Sequence, residues 1–220
     1  MRVCLISQGS LRDFKNQTGF CESAKVFLFG FNGIREVSYE KELKEETAYF
    51  SDAALLSKRE KGVVISGCVT DTRGLKRKSA VIAENGKILG VSDMLNVMDG
   101  EFNSGGGLRI YETHAGRIGI AVAEDLHYPE VIRSLAVCGC DYIVCPFGRI
   151  TDSLQSVLMR AYGYCYGIPI LLCGQGYAII ADGKGNVPFA SPQSPVFADF
   201  ECVNEYHLIQ TRRRMHRVYT

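Results

Sequence analysis

The chain lacks any apolar segment long enough to cross a bilayer, because no run approaches the roughly 18 to 20 residues that a spanning helix needs. The first residues, Met1–Ile6, are apolar over too short a stretch for a signal peptide. Net charge is also nearly absent, since 25 basic and 24 acidic side chains leave +1. No overall field therefore attracts nucleic acid or a membrane surface, and we expect a cytoplasmic protein with neither kind of partner.

The sequence has no pattern typical of a metal site. The segment Cys138–Cys140 has neither the spacing nor the second ligand pair of a zinc site. The histidines are scattered and form no i, i+4 pair: His114, His127, His207 and His216. We expect no metal and no cofactor.

Nine cysteines are a high count, but most lie inside apolar runs, as Cys4, Cys68, Cys145 and Cys173 do. A free thiol in such a run packs as a small apolar side chain. The odd number and the missing secretion signal argue against a disulfide framework.

The composition fits one compact domain over residues 1–220, with 46% hydrophobic residues and no linker, repeat or low-complexity stretch. The chain ends in a basic stretch containing Arg212–Arg214, His216 and Arg217. A solvated terminus or a subunit contact explains it better than nucleic-acid binding, because no aromatic residues interleave with the charges.

Strand-like and helix-like runs alternate along the chain, which is typical of an α/β layered fold. A long helix is predicted over Glu40–Lys61, with Ser38 near its start and Gly62 as a stop, and a hairpin turns at Asn85-Gly86. Predicted strands are Val3–Ser7, Lys25–Phe31, Val63–Cys68, Ser79–Ala83, Lys87–Val91, Leu108–Glu112, Arg117–Val122, Asp141–Pro146, Ile168–Cys173 and Tyr177–Ala181, with further helices over Glu130–Cys138 and Ser153–Tyr166.

The segment Gly116–Glu130 is the most informative, because a buried apolar run stops at a polar cluster where a nucleophile would be useful. It resembles the signature of the carbon–nitrogen hydrolase (nitrilase) superfamily, in which a strand ends in a catalytic cysteine followed by an aspartate and an aromatic-Pro-Glu. Here Asp125 and Tyr128-Pro129-Glu130 are present, but Ala123 stands in the cysteine position.

The resemblance extends over most of the chain. Met1–Gln8 is similar to the family's opening strand, Lys78–Gly90 to its Asn-Ser-Ala hairpin, and Arg160–Gly174 to its Arg-Ala helix and following strand. It implies a four-layer αββα sandwich that commonly forms a homodimer or larger homo-oligomer through helices. It also implies that the tail, residues 200–220, contacts a second subunit.

The family's chemistry needs a cysteine thiolate, a glutamate that moves the proton and a lysine that stabilises the oxyanion. The resemblance places Phe31 in the glutamate position, Met94 in the lysine position and Ala123 in the cysteine position. It therefore implies a degenerate member of the family that has lost the triad.

Other residues near these positions remain candidates for a pocket. Glu101 resembles the family's auxiliary glutamate, although a solvated loop acid is at least as good an interpretation. Asp125 and Glu130 match positions where a carboxylate braces the loop after the nucleophile. Glu124, Asp125 and His127 cluster beside the pocket, and Cys145 and Cys173 end strands at the same edge of a sheet, although acids after a strand usually cap or brace and strand cysteines are usually core.

Three functions follow from these observations. The first is a non-catalytic binding or assembly protein whose apolar pocket, lined by Phe31, Met94 and Ala123, holds a small amide or carboxylate. The second is an active amide or nitrile hydrolase with relocated residues, in which a thiol and a carboxylate would lie within hydrogen-bond reach. The third is an interaction protein that uses the dimer surface or the basic tail.

Overall fold

The computed structural model describes residues 1–16, 23–98, 100–150 and 153–202. The strands are β1 (Arg2–Ile6), β2 (Val26–Phe29), β3 (Glu36–Ser38), β4 (Val63–Thr72), β5 (Leu75–Glu84), β6 (Lys87–Asp93), β7 (Ile110–Thr113), β8 (Gly116–Ile120), β9 (Tyr142–Arg149), β10 (Ile170–Gln175), β11 (Tyr177–Ala181), β12 (Phe189–Ser191) and β13 (Val196–Asp199). The helices are α1 (Leu11–Asn16), α2 (Tyr39–Leu43), α3 (Tyr49–Glu60), α4 (Pro129–Val137) and α5 (Leu154–Tyr166), with a 3-10 turn at Ala123–His127.

The strands form two sheets. The first has the order β13-β1-β2-β4-β5-β6, with β3 paired to β4, and the second has the order β12-β11-β10-β9-β8-β7. Strands β1, β2 and β4 are parallel to one another, as are β8, β9 and β10. In each parallel group the carboxyl ends of the strands therefore meet at one edge, where chemistry-bearing loops collect.

Alternating side chains along these strands divide the core into three layers. Between the sheets lies an inner layer that includes Leu5 and Leu28 from one sheet and Val144 and Leu171 from the other. Two outer layers lie between each sheet and its helices, one beside α1 and α3 and one beside α4 and α5. The predicted four-layer αββα sandwich is confirmed.

Most predicted elements are present, but the predicted helix over residues 40–61 is wrong in its extent. The chain breaks after α2 and begins again at α3, because the Glu42 carboxylate accepts hydrogen bonds from the backbone N–H groups of Tyr49 and Phe50. The stop at Gly62 is confirmed, since Lys61 takes a left-handed conformation at the end of α3. The turn at Asn85-Gly86 is confirmed by positive φ at both residues.

The cysteines named as packing residues, Cys4, Cys68, Cys145 and Cys173, are all fully buried and free. The basic stretch from Arg212 onward lies outside the described residues, so its predicted subunit contact stays a prediction. Among the described residues, no helix combines the length and apolar character needed to cross a membrane.

The aromatic packing of the outer layer makes a stability prediction. Phe27 is fully buried and its ring makes an edge contact with Phe14. We expect Phe27→Ala to lower the free energy of unfolding by about 3 to 5 kcal/mol, since it leaves a cavity. Leu55 on α3 is 53% exposed, and Leu55→Ala should change stability by no more than about 0.5 kcal/mol. Urea unfolding of both variants checks this, and equal losses would contradict the assigned packing.

Candidate functional site

The chain turns sharply just beyond the end of β8. Ala123 has a φ of 49°, a left-handed conformation that is uncommon for a residue with a side chain, and it is 1% exposed. The residue begins the 3-10 turn and its methyl group belongs to the inner layer. This tight strand-to-turn corner aims position 123 between the two sheets, which is where a nucleophile at this position would be presented.

The two other positions of interest reach the same layer from the facing sheet. Met94 directly follows β6, is 2% exposed and belongs to the same apolar cluster as Ala123. Phe31 follows β2 and packs against that cluster, with its backbone N–H bonded to the Phe147 carbonyl at 3.2 Å. The Phe31 ring lies over Gly67, where a Cβ would come within 2.6 Å of it. Residues 31, 94 and 123 thus add an aromatic ring, a thioether and a methyl group to one apolar layer.

The carboxylate of Asp125 fastens the corner to the loop that carries Met94. Its oxygens accept hydrogen bonds from the backbone N–H of Leu95 at 2.9 Å, the backbone N–H of Asn96 at 2.9 Å and the Asn96 side-chain amide at 2.9 Å. Burial raises the pKa of Asp125 above its usual value, although these hydrogen bonds oppose the shift. The Asp125 carboxylate was predicted to brace the loop after the nucleophile position. It instead connects the turn after β8 of one sheet to the loop after β6 of the other.

A lysine–glutamate pair lies at the rim of the same corner. The Lys78 Nζ lies 2.9 and 3.0 Å from the two carboxylate oxygens of Glu124 and 5.1 Å from the centre of the Phe102 ring. Both side chains are about a quarter exposed, at 20% and 29%, so water screens part of their attraction. Sequence reasoning missed this pair, and the only signal for it was Lys78 at the asparagine position of the hairpin motif.

The two strand cysteines at this edge face opposite layers. Cys173 belongs to the inner layer and Cys145 to the layer beneath α4 and α5. The Cys145 Sγ lies 3.7 Å from the Ala123 carbonyl oxygen, to which it donates. Burial, together with the charges of Asp125 and Glu124, raises the pKa of Cys145 well above its usual range, and burial raises that of Cys173 to about 12. Both groups are therefore neutral thiols, which are poor nucleophiles.

The remaining pocket candidates differ in exposure and in the groups that they contact. His127 is half-buried with its ring 6.2 Å from that of Phe147, and its Nε2 has no hydrogen-bond partner among the described residues. Glu130 is exposed in the first turn of α4. Glu101 is exposed, and it contributes, after Glu36, to a raised pKa of Lys76. Of the six candidates, Glu124, Asp125 and His127 lie in the 3-10 turn that begins at Ala123.

The four-layer sandwich, the corner at Ala123 and the loops after β2 and β6 that face it agree with the family that the sequence model identifies. The sequence model for carbon-nitrogen hydrolases matches residues 26–189. The chain belongs to the carbon–nitrogen hydrolase family. No metal-ligating group of three or more side chains occurs within the described part of this family member.

Solved structures share the fold at low sequence identity. A mutant of the Nesterenkonia AN1 amidase from the nitrilase superfamily superposes with a TM-score of 0.75 at 15% identity, covering 100% of this chain and 97% of that one. Saccharomyces cerevisiae Nit3, a member of branch 10 of the nitrilase superfamily, superposes with a TM-score of 0.70 at 15% identity, covering 90% of this chain and 88% of that one.

Sequence relatives match over a shorter segment. Deaminated glutathione amidase of Rattus norvegicus is 30% identical over 98 residues, and the protein of that name from Homo sapiens is 32% identical over 97 residues. The aligned segment covers 38% of this chain and 30% of each relative. The match therefore spans less than a third of the length of these curated relatives.

The position of Cys145 predicts its chemical reactivity. We expect iodoacetamide at pH 8 to alkylate the exposed Cys138 and to leave Cys145 unmodified in the folded protein, because the buried thiol stays protonated. After unfolding in urea both should react. Mass spectrometry of digested peptides measures the two sites. Alkylation of native Cys145 at a rate within about tenfold of Cys138 would show an accessible thiolate and contradict this geometry.

The Asp125 brace makes a second prediction. Asp125→Asn keeps the side-chain shape but turns one acceptor oxygen into an NH₂ group, which would face the Leu95 N–H donor. We expect a loss of about 1 to 3 kcal/mol in unfolding free energy and faster amide exchange at Leu95 and Asn96. Glu46→Gln, at an exposed position, is the matched control. Unchanged exchange at Leu95 would show that the brace does not hold the loop.

Proposed function

We propose that this protein is a non-catalytic member of the carbon–nitrogen hydrolase family, kept as a small-ligand-binding or assembly protein. The observation that carries the proposal is the shared environment of Phe31, Met94 and Ala123. All three contribute to the apolar layer between the sheets. An attacking thiolate, a proton-moving carboxylate and an oxyanion-stabilising ammonium are therefore absent from these three positions.

The Lys78–Glu124 pair gives the proposed ligand site its polar rim. Lys78 and Ala80 are two residues apart on β5, and Ala80 points into the inner layer. By the alternation of a strand, Lys78 shares that face. A small amide or carboxylate would meet an ammonium group, a carboxylate and an aromatic face at this rim, above an apolar floor.

The alternative is an active hydrolase with relocated residues. The Lys78–Glu124 pair supports it, because the pair supplies one lysine and one glutamate near the corner. This alternative has no nucleophile, however. The alternative requires a thiol hydrogen-bonded to a carboxylate, whereas the nearby Cys145 thiol donates to a backbone carbonyl and faces the other side of its sheet. The geometry favours the non-catalytic function for this reason.

An assembly role would require an exposed apolar surface, and helix α5 provides one. Helix α5 exposes large apolar side chains at Leu154, Val157 and Tyr164, with 47%, 57% and 43% of each accessible. Monomeric proteins scatter single apolar residues over their surfaces, but several on one helix favour a protein contact. We expect a homodimer that uses this helix.

The proposed loss of catalysis predicts a stepwise restoration experiment. Ala123→Cys alone should give no turnover of acetamide or of deaminated glutathione, because positions 31 and 94 would still hold Phe and Met. The triple variant Phe31→Glu, Met94→Lys, Ala123→Cys supplies all three groups and is the variant in which activity is expected. Turnover at saturating substrate is measured by ammonia release from acetamide and by release of the amine-bearing fragment from deaminated glutathione, with Ala123→Ser as the matched control.

Two results would contradict the proposal. Turnover by the unmodified protein that survives exhaustive purification would show that the family's activity is present without the triad. Turnover by Ala123→Cys alone would show that residues other than Phe31 and Met94 occupy the glutamate and lysine positions, with Lys78 and Glu124 as the first residues to replace.

A further inference from the structure

A separate cleft opens on the outer face of the first sheet, between α1, the loop after β2 and the first turn of α3. Its volume is about 240 Å³, and Leu11, Ile34 and Tyr49 give it an apolar base. Leu11 and Ile34 belong to the outer layer beside α1 and α3, whereas Ala123 belongs to the inner layer. The first sheet therefore separates this cleft from the corner at Ala123.

Arg12 lines the cleft and is held in place by two contacts. Its Nε donates to an Asp52 carboxylate oxygen at 2.8 Å, and its guanidinium carbon lies 4.6 Å from the centre of the Tyr49 ring. The Lys15 Nζ donates to the other Asp52 oxygen at 2.8 Å. Burial raises the pKa of Asp52, but the hydrogen bonds from Lys15 and Arg12 outweigh it and lower the pKa below its usual value. Asp52 is therefore ionised with both oxygens engaged, while the terminal nitrogens of Arg12 have no acceptor among the described residues.

A second guanidinium group, that of Arg35, lines the cleft from the loop after β2. Its side chain is exposed and donates no hydrogen bond to another described residue. Asp13, also in the lining, accepts hydrogen bonds from the backbone N–H and the hydroxyl of Ser10 at 2.8 and 2.7 Å. These bonds, with a smaller contribution from the charge of Arg35, lower the pKa of Asp13 below its usual value. The carboxylates of the lining are thus engaged by the protein, while two guanidinium groups keep donors for a ligand.

The charges indicate which anion this cleft fits. Counting Lys15 with the two arginines gives three cations, and counting Glu42, whose charge acts on Arg12, with the two aspartates gives three carboxylates. The sum is zero, so a ligand with one negative charge is favoured over a dianion such as a phosphate monoester. A planar carboxylate pairs with a guanidinium through two parallel hydrogen bonds, and the apolar base accepts a small hydrocarbon body. We infer that this cleft binds a small organic monocarboxylate, whose carboxylate is received by Arg12 and Arg35.

Amide NMR spectra of the full chain, titrated with benzoate, test this site. We expect saturable shifts at the backbone amides of residues 10–13, 33–35 and 49–52, with a dissociation constant of about 1 mM, since so small a ligand gains little more. Benzamide has the same ring without the charge, and phenyl phosphate carries a second negative charge near neutral pH. Both should bind about tenfold more weakly than benzoate.

The Arg35 side chain can be changed without removing a structural contact among the described residues. We expect Arg35→Gln to weaken benzoate binding about tenfold, since it removes a charged donor pair. Arg35→Lys should recover only part of the loss, because an ammonium group lacks the paired donors of a guanidinium. Arg133→Gln, at an exposed position on α4 beside the second sheet, is the matched control and should bind benzoate as the unmodified protein does.

Four results would overturn the inference. They are the absence of saturable shifts at these amides up to about 50 mM benzoate, benzamide or phenyl phosphate binding as tightly as benzoate, undiminished binding by Arg35→Gln, and shifts confined to residues 94–96 and 123–125. The last result would place the carboxylate in the inner layer, so it would remove this second site while supporting the ligand site proposed above.

Discussion

The buried carboxylate of Asp125 fixes the geometry of the inner site, because a carboxylate that is 1% exposed must find hydrogen-bond donors inside the protein. It finds them at Leu95 and Asn96, in the loop that follows β6 of the opposite sheet. One side chain thus ties the corner after β8 to the loop carrying Met94. This contact does not involve the side chain at position 123.

Because the Asp125 contact does not involve the side chain at position 123, the family's backbone arrangement at this corner is compatible with an apolar interior. A hydrolytic site between two sheets must bury an acid, a base and a thiolate, and each charged group costs free energy unless it is paired. Phe31, Met94 and Ala123 carry no charge, so they incur no such cost, and they add apolar surface to the inner layer. The ring of Phe31 fits because Gly67 leaves room beneath it. The observed packing is that of a core, and the charges that remain, Lys78 and Glu124, are paired at its rim.

Local sequence patterns predicted the elements that depend on neighbouring residues, but not the contacts between residues distant in sequence. The strand alternation and the Asn85-Gly86 turn follow from neighbours in sequence, and the structure contains both, whereas the left-handed conformation at Ala123 had no signal in the local pattern. The interruption between α2 and α3 was not predictable in this way, because a helix-favouring segment is broken by the Glu42 side chain bonding seven and eight residues ahead. The Lys78–Glu124 pair joins two sheets across 46 positions, so no local pattern records it.

Strand alternation also limits how chemistry can return to this site. Ala123 keeps a φ of 49° although it carries no reactive group, because the chain must turn there for Asp125 to reach the facing loop. The Cys145 thiol does not face the inner layer, since Val144 holds the inner-layer position on β9 and a one-residue shift would reverse every side chain of that strand. Position 123 is therefore the point at which the corner after β8 reaches the inner layer, and its alanine contributes only a methyl group there while the architecture stays whole.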